Sequence, residues 1–524
     1  MYKMQRGISP WTLLLTAIGG IIGSGWLLGP LYAAKIAGSG AVLAWVIGGV
    51  LMSIIALTFA ELATLIPLSG SMVRFAEITH GTFTSFSIAW ISWLASLMVA
   101  PIEAMAALQY LSTFIPGLVN LSHEHPQLSK LGILVATALM GAMCLLNYYG
   151  VKLFNKSANV LSCIKIIIPF IIIAALFIGP FSMHTLHLST LIPSHLHATF
   201  KALPEAGIIF SYIGFSPVIQ LAGDAKNPQK AIPFAIISAM ILAIIIYSLT
   251  QLAFMGSLSP SDLANGYHHL SFKGQSGPLA GLLMNAGLLA LLPLIYLQAT
   301  LSPIGTALIY TASSARINVG MVDNGYMHPF NAKTNHHGMP YGALLVNFIV
   351  GMLFFLPFPG WHQMVSFLVS CFVLAYLIGP ISCASLRQAM PDLARPFKVP
   401  YYRLFTRAAF FICSLLLYWS TFAIISKMML CLLIGYGYLL WNKGFSAFKT
   451  LDLKKGLWLI FYLFSMLIIS YLGRYGGMHI LKGGSDISAI FLISMISFQW
   501  AISQTYSASQ SAENFNYHMQ SLKG

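Results

Sequence analysis

Charged side chains are scarce in this chain of 524 residues, because Asp, Glu, Lys and Arg together make up only 7% of it. A soluble globular domain carries roughly 25%, so a soluble protein is excluded. The chain is instead 58% hydrophobic, with apolar runs that recur from end to end. Many of these runs reach the ~20 residues that an α-helix needs to cross a bilayer. The composition therefore predicts an all-α integral membrane protein with no long soluble domain.

Acidic residues are rarer still, 12 against 27 Lys and Arg, which leaves a formal charge of +15. Such a surplus can indicate nucleic-acid binding, but here the basic residues are dispersed through short loops rather than gathered in one patch. With the N-terminus placed in the cytoplasm, 19 of the 27 lie on the cytoplasmic side and 7 on the outer side. This asymmetry follows the positive-inside rule. We therefore expect a multi-pass protein of a bacterial inner membrane, with a cytoplasmic N-terminus and no nucleic-acid partner.

Cysteine is also scarce, and its six copies all lie in apolar segments without metal or redox spacing. This distribution indicates no disulfide framework. No acidic or Cys partner completes a zinc site in the outer loop that is richest in histidine. The histidines of that loop are His184, His187, His195 and His197. No catalytic Ser/His/Asp set and no phosphate-binding loop stands out at membrane depth, so we expect no metal, no bound cofactor and no enzymatic activity.

The apolar runs divide into fourteen predicted spans. The first run is too long for a signal peptide and no clear cleavage site follows it, so we interpret it as a retained helix. The run from Leu404 to Trp441 is too long for one span at 1.5 Å per residue, and we split it near Lys427. The predicted spans are 8–34, 40–66, 83–116, 131–150, 158–180, 203–222, 232–256, 278–312, 341–357, 362–387, 405–424, 427–442, 456–473 and 487–504.

The layout of the spans predicts two inverted repeats of five helices each. Spans 1 and 6 are both interrupted by glycine or proline, and each opens a group of five. Groups with an odd number of spans insert with opposite orientations, as in many transporters. The polar tail is expected to be disordered. The predicted division is a transporter core at 1–400, with repeats at about 8–180 and 203–387, peripheral helices 11–14 at 401–505 and a cytoplasmic tail at 506–524.

Span 1 is interrupted at residues 18–25, where glycine is dense and a serine is included. Glycines spaced by four can simply allow close helix packing, but their density here favours a break. Unwound backbone would expose N–H groups at the start of the next half-helix, where the helix dipole adds to the donors. The residues expected to bind an anionic group such as a substrate carboxylate are Ile22, Gly23, Ser24 and Gly25.

Span 6 carries the matching interruption, in the sequence Tyr-Ile-Gly-Phe-Ser-Pro that ends at Pro217. One alternative is that the proline only kinks a helix that packs against its neighbours. As a break, it frees the carbonyls of Ser211, Tyr212 and Ile213, because Pro217 has no N–H to donate. Freed carbonyls can accept hydrogen bonds from an ammonium group, and Tyr212 and Phe215 are placed to wall a side-chain pocket. N–H donors at one break and C=O acceptors at the other suit an α-amino acid.

Two ionisable residues stand at membrane depth. Lys165 lies about eight residues into span 5, roughly 12 Å from its start, and a lysine in hydrocarbon is by default a functional residue. The alternative is a side chain that reaches the cytoplasmic surface. Glu103 in span 3 can pair with Lys165, bind the substrate ammonium, carry a proton, or be tied to backbone freed near Pro101. We predict that Lys165 and Glu103 couple transport to protons.

Other charged residues are expected to have structural or gating roles. Glu61, near the cytoplasmic end of span 2, is expected to make a helix-end contact. Asp224, Lys226 and Lys230 follow span 6 and are interpreted as loop or gate residues rather than substrate ligands.

At these motifs the chain resembles the amino acid–polyamine–organocation superfamily, whose fold is of the leucine-transporter type. The resemblance covers roughly residues 7–400, and two features depart from it: Ser69-Gly70-Ser71 replaces paired glycines, and two spans exceed the usual twelve. The extra spans make it similar to the bacterial aspartate:proton symporter branch, although no arginine stands at membrane depth to bind a side-chain carboxylate. The matching segments are residues 18–30, 61–70, 210–233 and 395–400.

The resemblance implies that the breaks in spans 1 and 6 recognise the substrate backbone. It also implies that Lys165 takes the place of a sodium ion and couples transport to protons. We therefore predict a proton-coupled symporter that imports an α-amino acid as its small-molecule substrate, energised by a proton gradient and surrounded by lipid. The alternatives are an amino acid exchanger and a receptor that binds amino acids without transporting them; the oligomeric state is not indicated.

Overall fold

The computed structural model describes residues 7–68, 70–120, 126–149, 151–182, 196–272, 277–358, 360–444, 451–481 and 484–520. These residues form an α-helical bundle with one short hairpin, β1 (Val119–Asn120) and β2 (Gln127–Leu128), paired antiparallel. The helices of the first half are α1 (Pro10–Ile21), α2 (Gly25–Ala37), α3 (Ala41–Leu65), α4 (Ser71–Leu111), α5 (Lys130–Tyr148) and α6 (Val151–Ile178).

The second half continues the bundle. Its helices are α7 (Leu196–Glu205), α8 (Ile208–Tyr212), α9 (Ser216–Gln220), α10 (Pro228–Gly256), α11 (Pro278–Asn285), α12 (Leu292–Asp323), α13 (Tyr341–Leu353), α14 (Trp361–Tyr376) and α15 (Ile378–Ala389). The helices that follow are α16 (Tyr402–Trp419), α17 (Phe422–Lys443), α18 (Leu453–Leu472), α19 (Ser485–Ser503) and α20 (Ala508–Gln520).

Ten helical stretches of the described residues are long and apolar enough to cross a membrane, and a bent pair would make eleven. The chain is therefore a multi-pass membrane protein. Four of the fourteen predicted spans are not counted separately. Predicted spans 1 and 2 share one stretch, residues 25–65, interrupted only at Gly38–Gly40, and predicted span 6 is the bent pair. In predicted span 9, α13 has only 13 residues, and α16, in predicted span 11, is not among the ten. Fourteen spans and the inverted repeat stay predictions.

The centre of the bundle is formed by α4 and by α14 with α15. The most apolar window of each is completely buried, whereas only 28% of the corresponding window is buried in α5 and in α17. Large apolar side chains are exposed on the outer helices, for example Leu430, Leu433 and Ile434 on α17. Such contiguous exposed apolar faces suit contact with lipid.

Two helix boundaries differ from the sequence prediction. The run from Leu404 to Trp441 is divided into two helices as predicted, but the turn lies at residues 420–421, where Thr421 has a φ of 74°. In span 6 the main bend, of 58°, separates α7 from α8. It is centred on Gly207, whose φ of 79° favours glycine, rather than on the predicted Gly214–Pro217 segment.

Within the described part of the C-terminal tail, Ala508–Gln520 forms a helix, so the expectation of disorder is wrong there. Ser507 caps α20, with its hydroxyl accepting from the Gln510 N–H at 3.4 Å. His518 lies 3.4 Å from the Glu77 carboxylate, near the start of α4. The tail is polar because it lies on the surface, and contacts with α4 that composition does not reveal hold it there.

Glu61 connects the end of α3 to the segment that precedes α16. Its carboxylate accepts two hydrogen bonds from Arg387, both of 2.7 Å, and one from the Val399 N–H at 2.8 Å. Arg395 lies 3.6 Å away and donates to the carbonyls at the end of α15, including that of Leu386 at 2.8 Å. The expected helix-end contact of Glu61 is therefore present, and it holds residues 395–400 against the bundle.

The two interrupted helices cross at glycines. A Cβ atom added at Gly214 would overlap the backbone of Gly20 and Ile21, and one at Gly25 would overlap the Ser211 hydroxyl. The approach of one backbone to the other therefore requires glycine at this crossing.

We expect Gly214→Ala to force the two helices apart. Overpacking of this kind costs about 1–3 kcal/mol, and here the clash is with backbone, which cannot rotate away. The measurement is the unfolding temperature of the purified protein in detergent. Gly437→Ala on α17, where an added Cβ meets nothing within 4 Å, is the matched control and should melt like the native chain. A Gly214→Ala variant that melts with the control would contradict the close crossing.

Removal of the Glu61 carboxylate should destabilise the protein strongly. Glu61→Ala leaves Arg387 and the buried Arg395 without their acidic partner, which typically costs about 3–5 kcal/mol. Lys201→Ala is the comparison, since it breaks a pair with Glu205 at 3.7 Å in which the lysine side chain is 43% exposed, and exposed pairs contribute at most about 1 kcal/mol. Equal losses of unfolding temperature in the two variants would argue against the Glu61 network.

Candidate functional site

The first interruption lies between α1 and α2, at residues 22–24, and it is buried in the centre of the bundle. Ile22 still donates to Ile18 O, but Gly23 turns back to Ile21 O at 3.0 Å, which ends the helical pattern. The next half-helix begins at once, because Leu27 and Leu28 both donate to Ser24 O. The predicted break is therefore present as a short non-helical segment that exposes carbonyls of α1 and N–H groups of α2.

Side chains from three other helices bind the carbonyls at the end of α1. Tyr247 on α10 donates to Ile21 O at 2.7 Å, and Ser302 on α12 donates to Ile22 O at 2.7 Å. Gly19 O accepts from Lys165, on α6, and from Thr306, on α12. In lipid, unpaired backbone groups cost several kcal/mol, so these side chains are what permits the break.

Lys165 is buried and points at the first break. Its Nζ donates to Gly19 O at 2.7 Å and to Thr306 Oγ1 at 2.8 Å, and the residue is 1% exposed. The alternative in which its ammonium reaches the membrane surface is therefore wrong. A cation at the C-terminal end of α1 is favoured by the helix dipole.

Glu103 binds the other side of the same break. Its Oε2 accepts from the Ser24 N–H at 2.8 Å, at the N-terminus of α2. Its Oε1 is buried without a hydrogen-bond partner. Glu103 is therefore hydrogen-bonded to the backbone of the first break rather than to the backbone near Pro101. The ion pairs of the described residues do not include one between Glu103 and Lys165 within 4.0 Å.

The second interruption is a single 3-10 turn, Ile213–Phe215, between α8 and α9. Two of the carbonyls predicted to be free accept tyrosine hydroxyls. Tyr310 donates to Ile213 O at 3.0 Å, and Tyr247 donates to Ser211 O at 3.3 Å in addition to its bond with Ile21 O. Tyr247 thus joins the two interruptions directly.

The two aromatic residues predicted to wall a side-chain pocket point in different directions. The Tyr212 hydroxyl donates to Trp45 O at 2.9 Å, on α3. The Phe215 ring packs against Tyr376 and Phe59, with centroids 5.1 and 6.3 Å away. Both side chains are buried at the crossing of the two helices.

Trp361, at the start of α14, covers one side of the crossing. Its Nε1 donates to the Ser24 hydroxyl at 3.0 Å, and its ring stacks on Tyr32 at 5.6 Å. A Cβ at Gly207 would overlap the same ring. The glycine at the 58° bend therefore leaves the space that the Trp361 ring occupies. This side of the site is closed.

The opposite side is closed by charge and by backbone pairing. Arg316 on α12 lies 3.2 Å from the Asp224 carboxylate. The N–H groups of Gly7 and Ile8 donate to Asp224 O, and that of Lys226 donates to Ile8 O. Asp224 therefore ties the segment that precedes α1 to the loop that follows α9, and its role as a gate stays a prediction.

Sequence reasoning missed the side chains that satisfy the interruptions. Three of them, Ser302, Thr306 and Tyr310, recur every four residues on α12 and so share one face. That polar stripe on an apolar helix was the available signal. Tyr247 and Trp361 had no comparable signal in the sequence.

The described residues contain no group of three His, Cys, Asp or Glu side chains that could hold a metal ion. His184, His187 and His195 lie outside the described residues. His197 stacks on Tyr475 at 4.3 Å, among the peripheral helices. The site at the interruptions thus offers backbone groups, hydroxyls, one amine and one carboxylate, which are groups suited to a zwitterionic guest.

Comparison with known proteins agrees with this geometry. Residues 8–439 match the amino acid permease family. The chain is 33% identical to the glutamate/serine transporter AimA of Bacillus subtilis, across 100% of this chain and 98% of that protein. It is 30% identical to the aspartate-proton symporter of the same organism, across 95% and 96%, and 26% identical to its branched-chain amino acid permease BcaP, across 83% and 92%. The chain belongs to the amino acid permease family, a family of membrane transporters.

Proposed function

We propose that this permease is a proton-coupled symporter that imports an α-amino acid by alternating access. The observation that carries the proposal is the pair of ionisable groups at the first break. Lys165 binds the end of α1 and Glu103 binds the start of α2, so a change in the charge of either group acts directly on the proposed substrate site. The aspartate-proton symporter among the relatives supports coupling to protons.

The proposed substrate site uses the backbone at both interruptions. The substrate carboxylate binds the N–H groups at residues 22–25, where the α2 dipole favours an anion. The ammonium group binds carbonyls of the second interruption, at Ser211, Tyr212 and Ile213, and Phe215 contacts the side chain. To reach these acceptors, the ammonium takes over hydrogen bonds that Tyr247 and Tyr310 make in the closed form.

Alternating access requires that the two closed sides open in turn. On one side, Trp361 must leave Ser24; on the other, Asp224 must part from Arg316 and from the segment before α1. Each side is held by a small number of local contacts. Either set can therefore break while the packing of α4, α14 and α15 is kept. We propose that the Asp224 side faces the cytoplasm of a bacterium, with the protein in the inner membrane, two inverted repeats of five helices and the helices after residue 400 at the periphery.

The function is tested by uptake into liposomes that contain the purified protein. Labelled glutamate, aspartate and serine are the first substrates to offer, since transporters of these amino acids are among the relatives. Accumulation that requires an inward proton gradient supports symport. Uptake that requires amino acid inside the liposome supports an exchanger instead, and binding without flux supports a receptor.

We expect Lys165→Ala to abolish gradient-driven accumulation. The variant leaves Gly19 O with Thr306 alone and removes the titratable amine, so the initial rate should fall roughly tenfold or more, equivalent to about 1.4 kcal/mol. Lys454→Ala, at an exposed position of α18, is the control and should transport normally. If a well-folded Lys165→Ala protein still accumulated substrate in proportion to the gradient, proton coupling through Lys165 would be wrong.

A further inference from the structure

Glu103 lies where the proposed function requires the carboxylate of the substrate. Its Oε2 accepts from the Ser24 N–H at 2.8 Å, and the two residues are 79 positions apart in the chain. The first N–H groups of a helix have no acceptor within it, and in α2 these belong to Gly25 and Trp26. The N-terminus of this helix of 13 residues therefore already holds a carboxyl group, and that group comes from the protein.

The second oxygen of Glu103 shows that the fit is incomplete. Oε1 is buried and has no hydrogen-bond partner, although the whole residue is 0% exposed. A Cβ added at Gly23 would overlap this oxygen, so it points into the break itself. A buried acceptor without a partner loses its hydration and gains no hydrogen bond in return, which weakens the hold of Glu103 on the site.

Two carboxylates cannot share the Ser24 N–H. A substrate carboxylate at the start of α2 would meet the negative charge of Glu103 at close range in a medium of low dielectric, where like charges repel strongly. We propose that Glu103 is an internal stand-in for the substrate carboxylate, which must be released from Ser24 before an amino acid can bind. This inference rests on the proposed function, because it assumes that the substrate is an amino acid.

Protonation is the natural trigger for that release. The titratable groups around Glu103 come from three helices. The charge of Lys165 on α6 acts on Glu103, and the charge of Glu103 acts on the phenols of Tyr247 on α10 and Tyr310 on α12. Lys165 is the cation among them, and its bonds to Gly19 and Thr306 keep it on the α1 side of the break. When Glu103 takes up a proton it loses its attraction to the α2 dipole, and a substrate carboxylate can replace it.

The test measures equilibrium binding to the purified native chain, Glu103→Gln and Glu77→Gln, by calorimetry at an acidic and an alkaline pH. Glutamine has the shape of protonated glutamate and no charge. We expect Glu103→Gln to bind glutamate or serine roughly five- to tenfold more tightly than the native chain at alkaline pH, within the range of typical coupling between sites, and to lose most of the dependence on pH. Glu77→Gln, on the same helix at a side chain that is 25% exposed, should behave like the native chain.

The amine that corresponds to serine, ethanolamine, separates the stand-in role from direct recognition of the ammonium group. It lacks the carboxylate, so Glu103→Gln should leave its binding unchanged. Weaker binding of both amino acid and amine by Glu103→Gln would mean that Glu103 binds the ammonium group, which would overturn the proposal. Unfolding temperatures identify a misfolded Glu103→Gln protein, and in that case Glu103→Asp provides the comparison. The shorter side chain reaches Ser24 less well, so this variant should bind the amino acid more tightly than the native chain at alkaline pH. Unchanged or weaker binding would count against the stand-in.

The outcomes for binding and for transport are separable. Binding at equilibrium needs no proton gradient, so tighter binding by Glu103→Gln together with pure exchange in liposomes would uphold the stand-in and reject symport. A native chain that binds none of the offered amino acids at either pH would overturn both.

Discussion

The charge arrangement at the first break is the constraint on which the rest of the site depends. The Lys165 amine from α6 lies at the C-terminal end of α1, and the Glu103 carboxyl group from α4 lies at the N-terminal end of α2. In its charged form, each group complements the dipole of the half-helix that it contacts. The break therefore depends on α6 to place Lys165 and on α4 to place Glu103. A change in the charge of either residue alters its interaction with the half-helix that it contacts.

The remaining backbone carbonyls at the interruptions also need hydrogen-bond donors, and these donors must not make the site rigid. Hydroxyls of Ser302, Thr306, Tyr247 and Tyr310 do this. A hydroxyl can rotate to another acceptor, and a ligand can replace it at small net cost, because a typical neutral hydrogen bond contributes only about 0.5–1.5 kcal/mol. A backbone held by hydroxyls has its hydrogen bonds satisfied and can still exchange its partners, as the proposed alternating access requires.

Away from the interruptions, the structure uses stronger and more permanent contacts. Glu61 fastens Arg387 and the Val399 backbone through bonds of 2.7–2.8 Å. In the first turn of α19, the buried Asp486 accepts two hydrogen bonds from Arg474 and one from Tyr418. Charge-assisted bidentate contacts of this kind are about twice as strong as neutral ones. The molecule therefore separates a fixed frame from a site whose contacts can be exchanged.

The sequence alone determined the membrane-spanning class, the glycine-rich break in the first helix and the two buried ionisable residues, because each depends on composition or on local spacing. Its family motifs also predicted the relatives that were found. It did not determine which groups meet. Glu103 and Ser24 are 79 residues apart, and Trp361 and Ser24 are 337 apart, so their contacts exist only in the packed bundle. The same holds for the 58° bend at Gly207, which accommodates Trp361, and for the helical tail, which is held by α4. Local sequence sets where the backbone can open, whereas tertiary packing decides which side chains close it.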